Sequence, residues 1–201
     1  MNEIAPGIFH WTAMHPDIEM EVSSYYVEPA GLVIDPMEPA EGLDAFDRFA
    51  EPPKQVVLTI GLHWRATDAF RERFGTPVRV ASAGMHRYEG TDRVAEPFEF
   101  GDEIAPGVTA FEVGGIAPDD NALNNTHWAG ALAFADSVIN WDGVGFVPDD
   151  LWEDPEEEQA AVLRSVRRLL ERDFDALLIS HGDPVPSGGH AALEQFVTSH
   201  S

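Results

Sequence analysis

Apolar residues in this chain fall in short, dense runs, most of them closed by glycine, proline or a carboxylate. Residues 7–13 and 23–27 are rich in Ile, Phe, Trp, Val and Tyr and predict strands. Gly31-Leu32-Val33-Ile34-Asp35-Pro36 predicts a short buried strand that stops at a carboxylate and a proline. Residues 55–60 form a continuous apolar run, the pattern of a strand covered on both faces. Residues 78–81 predict a further strand. Phe98-Glu99-Phe100 and residues 108–113 bracket a turn region and predict an antiparallel pair. Ala131-Leu132-Ala133-Phe134-Ala135 runs into Asp136, then Ser137-Val138-Ile139. Residues 174–180 end in His181-Gly182-Asp183-Pro184, a buried strand that delivers an imidazole into a tight turn.

Helical spacing alternates with these runs. Leu43, Phe46 and Phe49 predict an amphipathic helix over 39–50, and a shorter one covers 66–74. Asp154-Pro155-Glu156-Glu157 is a helix start, with a capping carboxylate, proline in the first turn and acid at the positive dipole end. Val162, Val166, Leu169 and Leu170 supply its buried stripe, and Arg167, Arg168 and Arg172 its basic end. A last helix spans about 189–197. No repeat or linker interrupts the order, so we expect one domain over 1–201. Strands with interspersed helices suit two sheets packed face to face under outer helices.

Composition narrows the chemistry. There is no cysteine, which removes disulfides, thiolate metal sites and cysteine nucleophiles. The net charge is −24, with Lys54 the single lysine among 12 basic residues. Such a surface repels nucleic acid and anionic lipid, so neither is expected as a partner. The chain shows neither a signal-peptide pattern nor an apolar run approaching the roughly 18 residues of a membrane span. A cytoplasmic protein is expected, with a small-molecule ligand as the partner and a monomer or homodimer as the assembly. The acidity suits a high-salt cytoplasm, and an ordinary cytoplasm is the alternative. No Gly-x-Ser-x-Gly elbow or phosphate-binding Gly-rich loop is present.

Four segments taken in order resemble the metallo-β-lactamase superfamily. These are Ala5-Pro6-Gly7-Ile8-Phe9, Leu32-Val33-Ile34-Asp35-Pro36, residues 131–138 ending around Asp136, and Ser165 through Pro184. The resemblance implies an α+β fold, a four-layer αββα sandwich of two mixed sheets, and a metal-dependent hydrolase site. The metal motif departs from the family. Where His-x-His-x-Asp-His is usual, this chain has Thr59-Ile60-Gly61-Leu62-His63-Trp64-Arg65, which puts Ile60, Leu62, Trp64 and Arg65 at the ligand positions. A further histidine position falls on Ile116. Asp136 and His181 remain as the catalytic candidates. Two ligands are fewer than the three protein ligands usual for catalytic zinc.

Two functions follow from that resemblance. One is a non-catalytic pseudo-hydrolase that has lost the dinuclear centre, carries no metal cofactor and has a small-molecule-binding, regulatory or structural role, its former metal cleft closed or made a hydrophobic pocket by Ile60, Leu62, Trp64 and Ile116. The alternative is a hydrolase of esters, thioesters or lactones with a single Zn, Fe or Mn ion held by His63, Asp136 and His181. His63 is one residue out of register with the family motif, and its plainer reading is a local hydrogen bond or a solvated side chain. His127 is expected in a surface turn, with the edge of the cleft as the alternative. His10 and His15 are expected as ordinary strand and turn residues. His86, His190 and His200 are expected to be structural or exposed, and Tyr25 and Tyr26 to be sheet packing. Trp64, Trp128 and Trp141 are candidates for core packing or a pocket wall.

Overall fold

The short apolar runs pair into two main sheets in the computed structural model, which describes residues 1–200. The first sheet is seven strands in sequence order: β1 (Asn2–Ala5), β2 (Ile8–His15), β3 (Met20–Val27), β4 (Leu32–Ile34), β5 (Gln55–Val57), β6 (Val78–Ala81) and β7 (Glu96–Phe98). Its first half is an antiparallel meander and its second half is parallel. The second sheet contains β8 (Glu103–Ala105), β9 (Val108–Glu112), β10 (Asn121–Asn125) and β11 (Ala131–Phe134). After a two-stranded ribbon of β12 (Val138–Asn140) and β13 (Val144–Phe146), β14 (Ala176–Ile179) joins this sheet beside β11, giving the order β14-β11-β10-β9-β8.

Alternation along the strands creates the layers. In β11, Ala131 and Ala133 face the other sheet, where they pack with Ile8, Tyr25, Leu32, Ile34 and Val57. Leu132 and Phe134 point the opposite way, toward α2 (Pro155–Leu169) and α3 (Gly189–Ser199), and meet Val162, Val166, Leu193 and Phe196. The outer face of the first sheet is covered by Phe70 of α1 (Thr67–Phe74) and by Phe46, both packed on Tyr26, Val33 and Leu58. These layers make the expected αββα sandwich. No helix among the described residues is long and apolar enough to cross a membrane.

Hydrogen bonds also sew the sheets together at one end. Ser23 N donates to Ser180 O at 2.9 Å. The Tyr25 hydroxyl donates to Ile179 O at 2.7 Å and accepts from Ile179 N at 2.9 Å, so a phenol from one sheet completes the outer strand of the other.

Several elements differ from the sequence reading. The helix expected over 39–50 is a 3-10 segment, Leu43–Arg48, entered through Gly42 at φ 74° and left through extended Phe49. Only Phe46 of its apolar face is fully buried. The run 55–60 leaves the sheet after Val57, because the Thr59 amide bonds the Asp35 side chain. Phe98 closes a parallel strand in the first sheet, whereas β9 pairs with β8 and β10 in the second, so the expected 98–100/108–113 pair does not form. β10 is a central strand that the sequence reading missed, because Asn121-Ala122-Leu123-Asn124-Asn125 has the composition of a turn.

Candidate functional site

Strand register brings Asp136 and His181 together. Phe134 of β11 stands opposite Ile179 of the parallel strand β14, so the residues two places on, Asp136 and His181, emerge side by side. His181 Nε2 lies 3.2 Å from Asp136 Oδ1. The turn after the histidine needs glycine. Gly182 has φ 98°, and a Cβ there would fall 2.0 Å from the Asn140 carbonyl oxygen.

His63 joins this pair from the loop after β5. The loop is pinned by Gly61 N to Asp119 Oδ2 at 2.6 Å and by the Tyr88 hydroxyl to Gly61 O at 2.7 Å. Asp119 is fully buried and paired with Arg87. A turn with His63 N on Ile60 O then directs the imidazole inward, where it is 5% exposed. His63 Nε2 lies 2.9 Å from Asp136 Oδ1, and Nδ1 lies 3.1 Å from Asp35 Oδ2. His63 Nδ1 and Asp136 Oδ1 lack well-aligned hydrogen bonds at these distances, so we read the contacts as charge pairing. His63 is therefore neither solvated nor limited to a local bond.

Asp35 is the member of the site that sequence reasoning missed. It follows β4 at φ 48°, a left-handed conformation rare for a residue with a side chain. Its carboxylate accepts from Thr59 N at 2.8 Å, from the Thr59 hydroxyl and from Ser180 Oγ at 3.1 Å. Arg65 was also missed as a charge partner. Its buried guanidinium donates through one nitrogen to Ser23 O at 2.8 Å and to Asp35 O at 2.9 Å. The available signal was a carboxylate closing a buried strand, with a basic residue at a position where the family has histidine.

Two carboxylates, one guanidinium and the His63 imidazole thus share a nearly dry volume beside the His181 imidazole, and the charges of these first four groups shift one another. Burial and the positive Arg65 oppose protonation of His63, but Asp136 and Asp35 outweigh them and raise its pKa to about 9. Burial would raise the Asp136 carboxyl, yet His63 and His181 hold it well below the ordinary carboxylate range. Burial opposes ionisation of Asp35 as well, and His63, Arg65 and Thr59 lower its pKa overall. Behind them, Asp120 receives the Ser137 amide and hydroxyl, and burial pushes its carboxyl well upward.

The donor set separates one metal from two. His63, Asp136 and His181 each offer a ligand atom, and these atoms lie within 4.8 Å of one another, which suits a single ion. The positions where the resemblance places further ligands hold other side chains. Ile60 packs with Ala117 and Ala135, Trp64 is buried with its indole N–H on Asp68, and Arg65 is engaged by carbonyl oxygens. Leu62 is exposed, so of the four apolar replacements only Ile116 lines the cleft over the site. That cleft, about 260 Å³, is bounded by Ile18, Met20, Ile116, Trp141, Val147 and Leu151, with Asp136 and His181 at its floor.

Of the remaining histidines, only His15 lies near enough to feel the charges of Arg65, His63 and His181. His127 Nε2 contacts Pro106 O and borders a different cavity, together with exposed Trp128. His10 stacks on Tyr25 and bonds Ser23 Oγ, and burial lowers its pKa to about 4. His15 accepts from the Asp17 amide, and His86, His190 and His200 contact nearby carbonyl oxygens.

No family model matches the sequence, and no curated protein matches it. Solved structures do match. DIM-1 metallo-β-lactamase aligns with a TM-score of 0.74 at 12% identity, over 99% of this chain and 96% of that one. TTHA1623 in a di-iron-bound form aligns with a TM-score of 0.68 at 22% identity, over 90% and 96%. The metallo-β-lactamase family protein TTHA1429 from Thermus thermophilus aligns with a TM-score of 0.68 at 17% identity, over 98% and 80%. The chain has the metallo-β-lactamase fold.

Proposed function

We propose that this chain is a metallo-β-lactamase-fold protein that works without a dinuclear metal centre and binds a small molecule in the cleft above Asp136 and His181. One observation carries the reading: His63 stands between two carboxylates, 3.1 Å from Asp35 and 2.9 Å from Asp136. An imidazole so placed is stabilised as the imidazolium, a cation already at the centre of the site. A metal ligand must be the neutral imidazole, so loading an ion there means expelling that proton against both carboxylates. Arg65 adds a second fixed positive charge beside the same groups.

The convergence of His63, Asp136 and His181 supports a second reading, a mononuclear metal-dependent hydrolase of an ester, thioester or lactone. These three residues would hold the ion, which would supply Lewis acidity toward a carbonyl group. In that case Asp35 orients His63, and the apolar cleft excludes water and holds the substrate body.

Elemental analysis of protein purified without chelator, then incubated with equimolar Zn²⁺, Fe²⁺ or Mn²⁺ and dialysed, separates the two. The first reading expects well under one ion per chain in every arm. One retained ion that disappears in His63→Gln overturns it in favour of the hydrolase.

A further inference from the structure

The rim of the cleft is apolar in an unusual place. Ile18, Met20, Trp141 and Leu151 line it, and they are four of the eight large apolar side chains left exposed among the described residues. Single apolar residues on a surface need no explanation, but a group gathered around one concavity marks a ligand surface. Ile116 and Val147 continue the apolar wall inward, and the polar groups Asp136 and His181 enter only at the floor.

The charge around this rim has one sign. The lining residues are interleaved with exposed carboxylates in Asp17-Ile18-Glu19-Met20, Trp141-Asp142 and Asp149-Asp150-Leu151. Neither 14–22 nor 140–153 contains a lysine or an arginine. An anionic ligand would meet repulsion and find no rim cation to receive it. An exposed indole set among carboxylates suits the opposite sign, because the ring face attracts a cation and the acidic rim concentrates cations near it.

We infer that the cleft binds an organic cation with an apolar body, a hydrophobic amine or quaternary ammonium, its body between Ile18, Met20, Ile116 and Val147 and its charge at the Trp141 rim. This inference rests on the small-molecule-binding reading of the site and assigns that site its ligand class.

Isothermal titration with phenylpropylammonium, phenylpropanol and phenylpropionate tests it, since the three share one body and differ in charge. In about 0.1 M KCl, with folding verified by circular dichroism, the ammonium should bind at least about tenfold more tightly than the alcohol. The propionate should show no measurable binding. The variant Asp17→Asn/Asp142→Asn/Asp150→Asn should bring ammonium affinity down to that of the alcohol and leave the alcohol unchanged. Trp141→Ala should weaken both ligands. An alcohol that binds as tightly as the ammonium overturns the cationic class and leaves the small-molecule reading standing. Binding of the propionate alone, or an ammonium preference that survives the triple variant, also overturns the inference. Failure of all three ligands to bind folded protein overturns the cleft as a ligand site altogether, whereas the metal-free reading falls only to the elemental analysis.

Discussion

His63 stands against two carboxylates, so its protonation is coupled to folding. Its folded pKa of about 9 exceeds the ordinary value of 6.5. The stabilisation is therefore complete below about pH 6.5 and is lost as pH climbs through about 9, amounting to about 3 kcal/mol at most. Wild-type melting temperature should fall across that window, while His63→Gln, less stable at pH 6, should show a flatter profile. A wild-type profile as flat as the variant's would contradict the pairing. Asp136 and His181 were legible in the sequence because each ends an apolar strand run at a position where the resembled family keeps a ligand. Asp35 and Arg65 were not, because their roles depend on β4, the loop after β5 and the start of β3 meeting in space. His63 was legible only as a candidate, since strand alternation says nothing once the chain has left the sheet.

At the scale of elements, local chemistry sets boundaries well wherever it is strong. Asp154 caps α2 as its sequence predicts, accepting the Glu157 amide at 3.2 Å. Asp154→Ala should destabilise the protein by about 1 kcal/mol, read as a lower urea midpoint with an unchanged slope. A midpoint equal to wild type would mean that the cap is redundant with the three glutamates that follow. Where tertiary pairing decides, local chemistry misleads. The asparagines of β10 favour turns in isolation, yet the strand lies between β9 and β11 with every residue buried. The 39–50 segment fails in the opposite sense, because helical spacing of Leu43, Phe46 and Phe49 cannot carry α-helix through Gly42. The parallel register of β11 and β14 had no local signal, and it sets the Asp136–His181 pair.

For the whole molecule, 36 acidic against 12 basic residues make self-repulsion the dominant electrostatic term. Salt should relieve it, since the screening length falls from about 30 Å at 0.01 M to about 3 Å at 1 M. Melting in about 0.05, 0.3 and 2 M KCl distinguishes two kinds of acidic protein. A haloadapted chain keeps gaining stability into molar salt, and we expect that outcome; a plateau above about 0.3 M would rule it out. Sulfate is unsuitable as the anion because it strengthens apolar burial by exclusion.

The seam between β3 and β14 carries a consequence for how the molecule opens. The amides of Ser23 and Ile179 have their partners across the sandwich, on the Ser180 carbonyl and the Tyr25 phenol. A sheet that frays strand by strand frees its outermost amides first, but these two are released only when the halves come apart. Deuterium uptake at Ile179 should therefore be as slow as in the middle of the second sheet, despite its place on an outer strand. Replacing the phenol with Tyr25→Phe should hasten exchange at Ile179 far more than at Leu123. His181 at the floor of the cleft, two residues past Ile179, would then lose its rigid frame before the fold itself is lost.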